Sequence, residues 1–420
     1  MTAADPTSTL RVLYIVSLFP CWSETFIARE IATLVAAGVD VRILSLKLPS
    51  EKLVQPEAAA LLSRVRHPSA GLRGAVAMLG ACRRHPLVSC AAAARLTWRL
   101  RGQPLALAKS LVALARGIAQ LHWIEGFDPH FVHAHWATYP STVAMLLARV
   151  LGKPFGFTAH AHDIFVDDHL LKEKLENANL PVTISRYNID WLGKEVTSLA
   201  RERLRIVHCG VDLASTRFSR DARRDDLLLA IGRLDPIKGF DVLVEALAQL
   251  RDRGIGFHCR IIGEGAERGA LEAAIAGHGL GDAVELSGAC GQAEVQAALR
   301  EASVFVLPCV VAADGNRDGI PVAMMEAMAA GAPVVSTRVS GIPELVADGD
   351  EGVLVGERDV SGLADALARL LGDAALRERL AVAARRKIER EFDAREEALR
   401  LLAMFHETCA AADRGAGAHA

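Results

Sequence analysis

Residues 227–239 read LLLAIGRLDPIKG, and this stretch decides the fold. Five apolar residues end at Gly232, Arg233 and Lys238 flank a proline, and Gly239 opens FDVLVEALAQLRDRG, whose apolar positions recur at helical spacing. A short β run, a glycine turn and a helix form one strand-to-helix unit, and the unit repeats. Downstream come FHCRIIGEG, VELSG, SVFVLPC and APVVSTRV, each separated from the next by a helical stretch. Upstream the same alternation runs through LRVLYIVSLF, DVRILSLKL, FVHAHWA, PFGFTAH and PVTIS. Such alternation predicts parallel sheets covered by helices on both faces. The two series are separated by DLASTRFSRDARRD, polar and strand-poor, at 212–225. The expected fold class is α/β, with two Rossmann-like, doubly wound domains facing a central cleft. Residues 1–212 form the first and 213–390 the second, while 391–420 make a helix packing back on the first. Functional loops are expected at the carboxyl ends of the strands.

Length and composition agree. A chain of 420 residues exceeds one hydrophobic core, and 23% charged against 51% hydrophobic residues is an ordinary globular balance. A net charge of −2 gives no global field for nucleic acid. The eight cysteines lack any C-x-x-C spacing, which suits buried thiols in a reducing compartment better than a disulfide framework or structural zinc. The first residues lack a basic segment followed by an apolar run, and no stretch is long enough to span a bilayer. A cytoplasmic protein is expected.

The charges are unevenly placed. Between Glu57 and Glu125 there is no acidic residue, whereas Arg64, Arg66, Arg73, Arg83, Arg84, Arg95, Arg99, Arg101, Lys109 and Arg116 lie among Leu, Ala, Val and Trp98. This basic helical insertion, about 58–124, reads as a surface for an anionic membrane through residues 64–116. Arginines solvating one face of an ordinary insertion are the blander alternative.

Three loops carry chemistry. GRLDPIKG sets Gly232, Arg233 and Lys238 at a strand-to-helix turn, a place suited to phosphate although two loop cations are often only surface charge. It is no P-loop, for G-x-x-x-x-G-K-[ST] is absent. IIGEGAER adds a second glycine turn at Gly263 and Gly265. In DGNRDGIPVAMMEAMAAGAPVVSTRVSGIPELV, 314–346, Pro321 begins a helix that Gly331 ends. Asp318 precedes that helix, and Glu326 leans back toward its mouth, where a carboxylate can take a sugar diol. Gly315 and Gly319 expose backbone amides beside it. Two solvated acids bracketing a helix are the plainer reading.

In the first half, FTAHAHDIF (157–165) places His160, His162 and Asp163 after a β run, and FVHAHWATYP (131–140) repeats the His-x-His spacing at His133 and His135. A catalytic metal site needs three protein ligands and an ordered second shell. In metal-dependent hydrolases on (β/α)8 barrels His-x-His opens the first strand, not a strand near residue 160. No metal is expected. His162 can cap the loop or bond Asp163, and His133 and His135 are either structural or acceptor-side. In SLFPCWSETFI (17–27), Ser23 or Thr25 can cap the following helix, and Ser17 or Glu24 can face a ligand.

Taken in order, GRLDPIKG, IGEG (262–265), the D-x7-E from Asp318 to Glu326, SGIPELV (340–346), HAHWATYPST and FTAHAHDIF resemble the retaining nucleotide-sugar glycosyltransferases of family 4, which have the GT-B fold. The resemblance spans nearly the whole chain and is nearest to exopolysaccharide enzymes of the colanic-acid type. It implies that Arg233 and Lys238 hold the donor diphosphate and stabilise the departing nucleoside diphosphate, with no metal or other cofactor. It implies ribose binding by Glu326, donor-sugar contacts by Asp318 and His160, and orientation of the His160 loop by Asp163. Asp318 stands where the family usually has glutamate, one methylene longer. No segment of the first domain nominates a carboxylate nucleophile, so same-face attack assisted by the leaving phosphate is implied rather than double displacement. The expected partners are a UDP- or GDP-linked sugar and a lipid-linked oligosaccharide acceptor. Two other classes stand beside this one: a sugar-nucleotide epimerase of the same shape, and a catalytically silent nucleotide-sugar-binding protein.

Overall fold

The computed structural model describes residues 9–21, 24–49, 54–68, 71–84, 86–219 and 223–417. The chain divides into two compact units. One comprises 1–184, 189–207 and 395–420, the other 185–188 and 208–394. The first division therefore falls a few residues before 212, and the last helix joins the first unit from Arg395 onward.

The first unit is built on a seven-stranded, all-parallel sheet: β1 (Arg11–Val16), β2 (Asp40–Ser45), β3 (Val65–Arg66), β4 (Phe131–His135), β5 (Phe155–Ala159), β6 (Leu180–Thr183) and β7 (Arg205–Ile206), in the order β3-β2-β1-β4-β5-β6-β7. β1, β4 and β5 are buried along all or nearly all their length because helices cover both faces, although β4 carries His133 and His135. The strand order reverses between β1 and β4, so their carboxyl ends form a switch point. The final helix, Ala394–Gly417, places Phe405 against Phe131, ring centroids 4.7 Å apart.

The basic insertion resolves into the strand β3 and the helices Gly71–Arg84, Pro86–Arg99 and Pro104–Ile118. β3 escapes detection in sequence because it is two residues long and one of them is arginine. Each of the last two helices begins at a proline, whose fixed φ and missing donor suit the first turn.

The second unit carries a six-stranded parallel sheet: β8 (Arg224–Ile231), β9 (His258–Ile262), β10 (Val284–Gly288), β11 (Ala302–Leu307), β12 (Val334–Thr337) and β13 (Gly352–Val355), ordered β10-β9-β8-β11-β12-β13. Its switch point lies between β8 and β11. The loops that leave these two strands hold the residues read from sequence as the anion and sugar site.

Candidate active site

In the second unit, β8 ends at Ile231 and the chain turns through a short 3-10 helix, Pro236–Lys238, before the helix Phe240–Asp252. Asp235 opens the turn by accepting from the Ile237 amide at 3.4 Å. Gly239 then takes φ +65°, and a Cβ there would stand 2.0 Å from the carbonyl oxygen of Pro308. Only glycine lets this turn sit against the loop leaving β11.

That contact aims Lys238 at Asp318. Lys238 Nζ donates to Asp318 Oδ2, and the two side chains are only 13% and 19% exposed. Burial pushes the Lys238 ammonium toward neutrality, but the charge of Asp318 and its hydrogen bond outweigh that and hold the pKa above its usual value. An ammonium has three donors, so this bond leaves it capacity for an anion. Arg233 is exposed, 3.8 Å from Asp235.

Glu326 lies on the helix Val322–Ala330, which follows Pro321 and closes at Gly331 with φ +88°. From Met324 to Ala330 every residue is buried, Glu326 included. Burying a carboxylate costs several kcal/mol unless it is partnered. Gly319 is buried just upstream.

The glycine turn after β9 has a packing role. At Gly263 φ is +154°, and a Cβ would lie 1.8 Å from the Gly232 carbonyl oxygen. At Gly265 it would lie 2.2 Å from that of Leu234. The amides of Gly232 and Gly263 donate to Ile262 and Gly288. The motif at 340–346 is used differently again: Glu344 accepts from the amides of Arg186 (2.8 Å) and Tyr187 (2.7 Å).

In the first unit, His160 follows β5 and is buried, with its ring against Trp136 and Phe26. Its Nε2 lies 3.2 Å from His135 Nδ1. Burial, then the neighbouring His135, hold the His160 pKa well below the ordinary imidazole value, so the ring is neutral. Asp163 is fully buried and accepts from the amides of His160 (3.0 Å) and Ala137 (2.6 Å). Burial raises its pKa, against the amide bonds that favour the carboxylate. It thereby ties the loop after β5 to the loop after β4.

Lys174 braces the same loops from below, its ammonium donating to the carbonyls of Ala137 (2.5 Å), Thr138 (2.8 Å) and His169 (2.7 Å). His162 is exposed, unlike its neighbour in the motif, so the His-x-His at 160–162 does not converge on one point. His133 bonds Thr158 Oγ1 at 3.0 Å inside the sheet. Ser23 lies outside the described residues. The helix after the 17–27 loop starts at Thr25 with no side-chain cap from Glu24.

Among the described residues, one group of potential metal-ligating side chains has its ligand atoms within 4.8 Å of one another: Glu30, His133 and His135. His135 Nε2 is 3.1 Å from Glu30 Oε1, the oxygen that also accepts from Tyr14 Oη at 2.7 Å. Sequence reasoning missed Glu30, Tyr14 and Lys174. Glu30 reads as a solvated charge on an amphipathic helix, and Tyr14 as strand core. Only the register that sets Tyr14 opposite His133 brings them to the histidines.

Two doubly wound parallel sheets, each with polar residues on loops at its carboxyl edge, define a two-unit Rossmann-like α/β class. The comparisons agree. The family model "Glycosyltransferase Family 4" matches residues 23–215, and "Glycosyl transferases group 1" matches 225–373. WcaL of Escherichia coli, a glycosyltransferase named for colanic acid biosynthesis, is 31% identical over 393 residues, covering 86% of this chain and 90% of its own. Sucrose-phosphate synthase of Thermosynechococcus elongatus superposes with a TM-score of 0.73 at 20% identity, over 96% of this chain and 100% of its own. HepE of Anabaena, solved with UDP-glucose, gives 0.67 at 15% identity, over 95% and 100%. The chain belongs to glycosyltransferase family 4 and has the GT-B fold.

Proposed function

We propose that the protein transfers a hexose, with retention of anomeric configuration, from a UDP- or GDP-linked sugar to a lipid-linked oligosaccharide in exopolysaccharide biosynthesis. The observation that carries this reading is the part-buried Lys238–Asp318 pair at the switch point of the second sheet, with the buried Glu326 on the helix that follows. Arg233 and Lys238 hold the donor diphosphate and stabilise the leaving group, work that needs no metal here. Glu326 takes the ribose hydroxyls. Asp318, with the backbone around Gly319, faces the donor sugar. His160, fixed by Asp163, contacts that sugar near its anomeric carbon. The leaving phosphate takes the proton of the attacking hydroxyl, and the protein supplies position and charge stabilisation. HepE's complex with UDP-glucose and WcaL's role in colanic acid biosynthesis support the choice of donor class and pathway type.

The acceptor side of the reading rests on the basic insertion. Trp98, Leu105, Val76 and Leu79 are more than half exposed there, and Arg83, Arg84, Arg101 and Lys109 are exposed beside them. A basic surface with projecting apolar side chains suits an anionic bilayer, which supports the proposed site of action at the cytoplasmic face of the membrane. No helix among the described residues is long and apolar enough to cross a membrane.

The test is a donor screen: purified protein with UDP- and GDP-sugars, scored for nucleotide release and thermal shift. Release from one donor, lost in Glu326→Ala and Lys238→Ala, is the expected result. Binding without release, even with membrane lipid extract, would point to the silent binding protein instead. No shift with any nucleotide sugar would refute the donor-site reading.

A further inference from the structure

The described residues hold a largely buried hydrogen-bond chain that ends at His160 and whose other members have no part in the reaction outlined above. It runs from Tyr14 Oη to Glu30 Oε1 (2.7 Å), from Glu30 Oε1 to His135 Nε2 (3.1 Å), and from His135 Nδ1 to His160 Nε2 (3.2 Å). Its members come from β1, the helix Thr25–Ala36, β4 and the loop after β5. Tyr14, His135 and His160 are at most 4% exposed, and the Glu30 side chain 15%. The rings of His135 and His160 stack at 5.4 Å with 24° between their planes. Four elements thus converge to hold one imidazole.

The direction of the chain follows from donor and acceptor inventory. An ionised carboxylate only accepts, so the His135 nitrogen facing Glu30 carries the proton. Taking His135 as a neutral imidazole with one N–H, its Nδ1 is an acceptor and the His160 nitrogen facing it is the donor; a protonated His135 would reverse that bond, which the tautomer measurement below distinguishes. We infer that Glu30 and His135 are positioning residues for His160, together fixing its proton on Nε2 and its Nδ1 as an acceptor. Any hydrogen bond that His160 Nδ1 makes is therefore one it accepts, not one it donates. Glu30 acts only through His135, and Tyr14 holds the carboxylate in place by donating to the same oxygen. Burial keeps His160 and its neighbour His133 neutral, so the chain operates without a charged ring at His160. The significance for the transfer reaction rests on the role proposed above for His160, whereas the tautomer itself does not.

Glu30, His133 and His135 could instead hold a metal, and the two arrangements exclude one another. His135 Nε2 cannot both bind a cation and carry a proton.

Nitrogen NMR of the full chain labelled with 15N-histidine, assigned with His135→Gln and His160→Gln, reads the tautomers without any substrate. Protons on Nε2 of both rings are the expected result; His160 protonated on Nδ1, or evenly mixed, overturns the inference. Metal analysis of the purified protein should find no stoichiometric cation, and finding one overturns it equally. Glu30→Ala should release both rings from the single tautomer and lower kcat about a hundredfold, with the donor KM changed by less than about twofold. Loss of folding, or an equal loss through KM with tautomers unchanged, would mean that Glu30 is merely structural. Glu30→Gln keeps an acceptor oxygen of the same reach without the charge, and kcat should track the His160 tautomer that NMR finds in it; kcat moving independently of the tautomer sinks the idea. Should no donor turn over at all, the function proposed above fails, and the NMR still decides the tautomer.

Discussion

Lys238 and Asp318, 80 residues apart in sequence, form a part-buried ion pair at the switch point of the second sheet. The lysine ends the 3-10 turn after β8, and the aspartate ends the loop after β11. Neither charge is stable there alone, because removing one partner leaves the other desolvated. Asp318→Asn should lower unfolding stability by about 2 kcal/mol, below the fully buried limit because both side chains keep some water. Lys238→Met should cost a similar amount, and the double variant less than the sum, by about 1–2 kcal/mol. Denaturant unfolding of the four proteins measures this, and strict additivity would mean the pair is not coupled.

Asp318→Glu separates stability from chemistry. The extra methylene restores the residue usual in the family, and the carboxylate can still reach Lys238. Stability within about 1 kcal/mol of the parent is expected, since the charge pair persists. Donor turnover should be retained. A loss of turnover with normal stability would show that this chain's sugar site is shaped for the shorter side chain.

Lys174 makes stability depend on pH. Burial lowers its pKa from 10.5 to about 7, with Asp167, Asp163, Glu173 and Asp168 pulling the other way. Between about 7 and 10.5 the unfolded chain holds a proton that the folded chain has released, so stability from this group rises with pH across that window. Below about 7 both states are protonated and the desolvation cost is carried in full. Measured against Lys174→Met, the parent should gain about 2 kcal/mol from pH 7 to pH 9. A difference that is flat or falls with pH would contradict the assignment.

Two glycines of the loops after β8 and β9 should respond differently. Gly263→Ala drives a Cβ into the Gly232 carbonyl at a φ that side chains rarely adopt, so a loss of about 3 kcal/mol or more, or failure to fold, is expected. In Gly232→Ala the added carbon meets only the Lys238 side chain, at 3.3 Å. That variant should fold nearly normally but bind a nucleoside diphosphate more weakly, because the ammonium is displaced. Thermal melts with and without UDP distinguish the two.

Membrane binding should follow the exposed part of the basic insertion. Arg95 and Arg99 pair with Glu173, Arg64 with Asp40, and Arg66 bonds Gln120. Those arginines fasten helices and are poor choices for a charge test. Arg83, Arg84 and Lys109 are better ones. Their replacement by glutamine should weaken flotation with anionic vesicles by about 1 kcal/mol each at low salt. Binding indifferent to all three and to salt would leave Trp98 and the other apolar side chains as the contact, or none.

Much of this was legible in sequence. The alternation of β runs with helical stretches gives two parallel sheets because a strand covered on both faces must be apolar along its length, and a helix covering it need be apolar only on one side. Gly331 and Pro321 mark the ends of the Glu326 helix for local reasons of φ and missing donors. Gly232, Arg233, Lys238 and Asp318 stood out as candidates because each lies in a short motif on a loop that leaves a strand.

The histidine network was not. Glu30, in the middle of TFIAREIATLVA, is indistinguishable by pattern from a solvated charge. Whether it meets water or His135 depends on how that helix lies over β1 and β4. Likewise nothing local sets Lys174 beneath Ala137 and Thr138, or Asp318 against Lys238. Sequence by itself determined the alternation of the longer strands and helices and the ends that glycine and proline mark, because those follow from backbone geometry and the period of apolar residues; the short strands such as β3 were beyond it. Only the tertiary structure decided which polar groups are buried and with whom, because a hydrogen bond between residues 80 or 105 positions apart exists only once the sheet has brought their strands together.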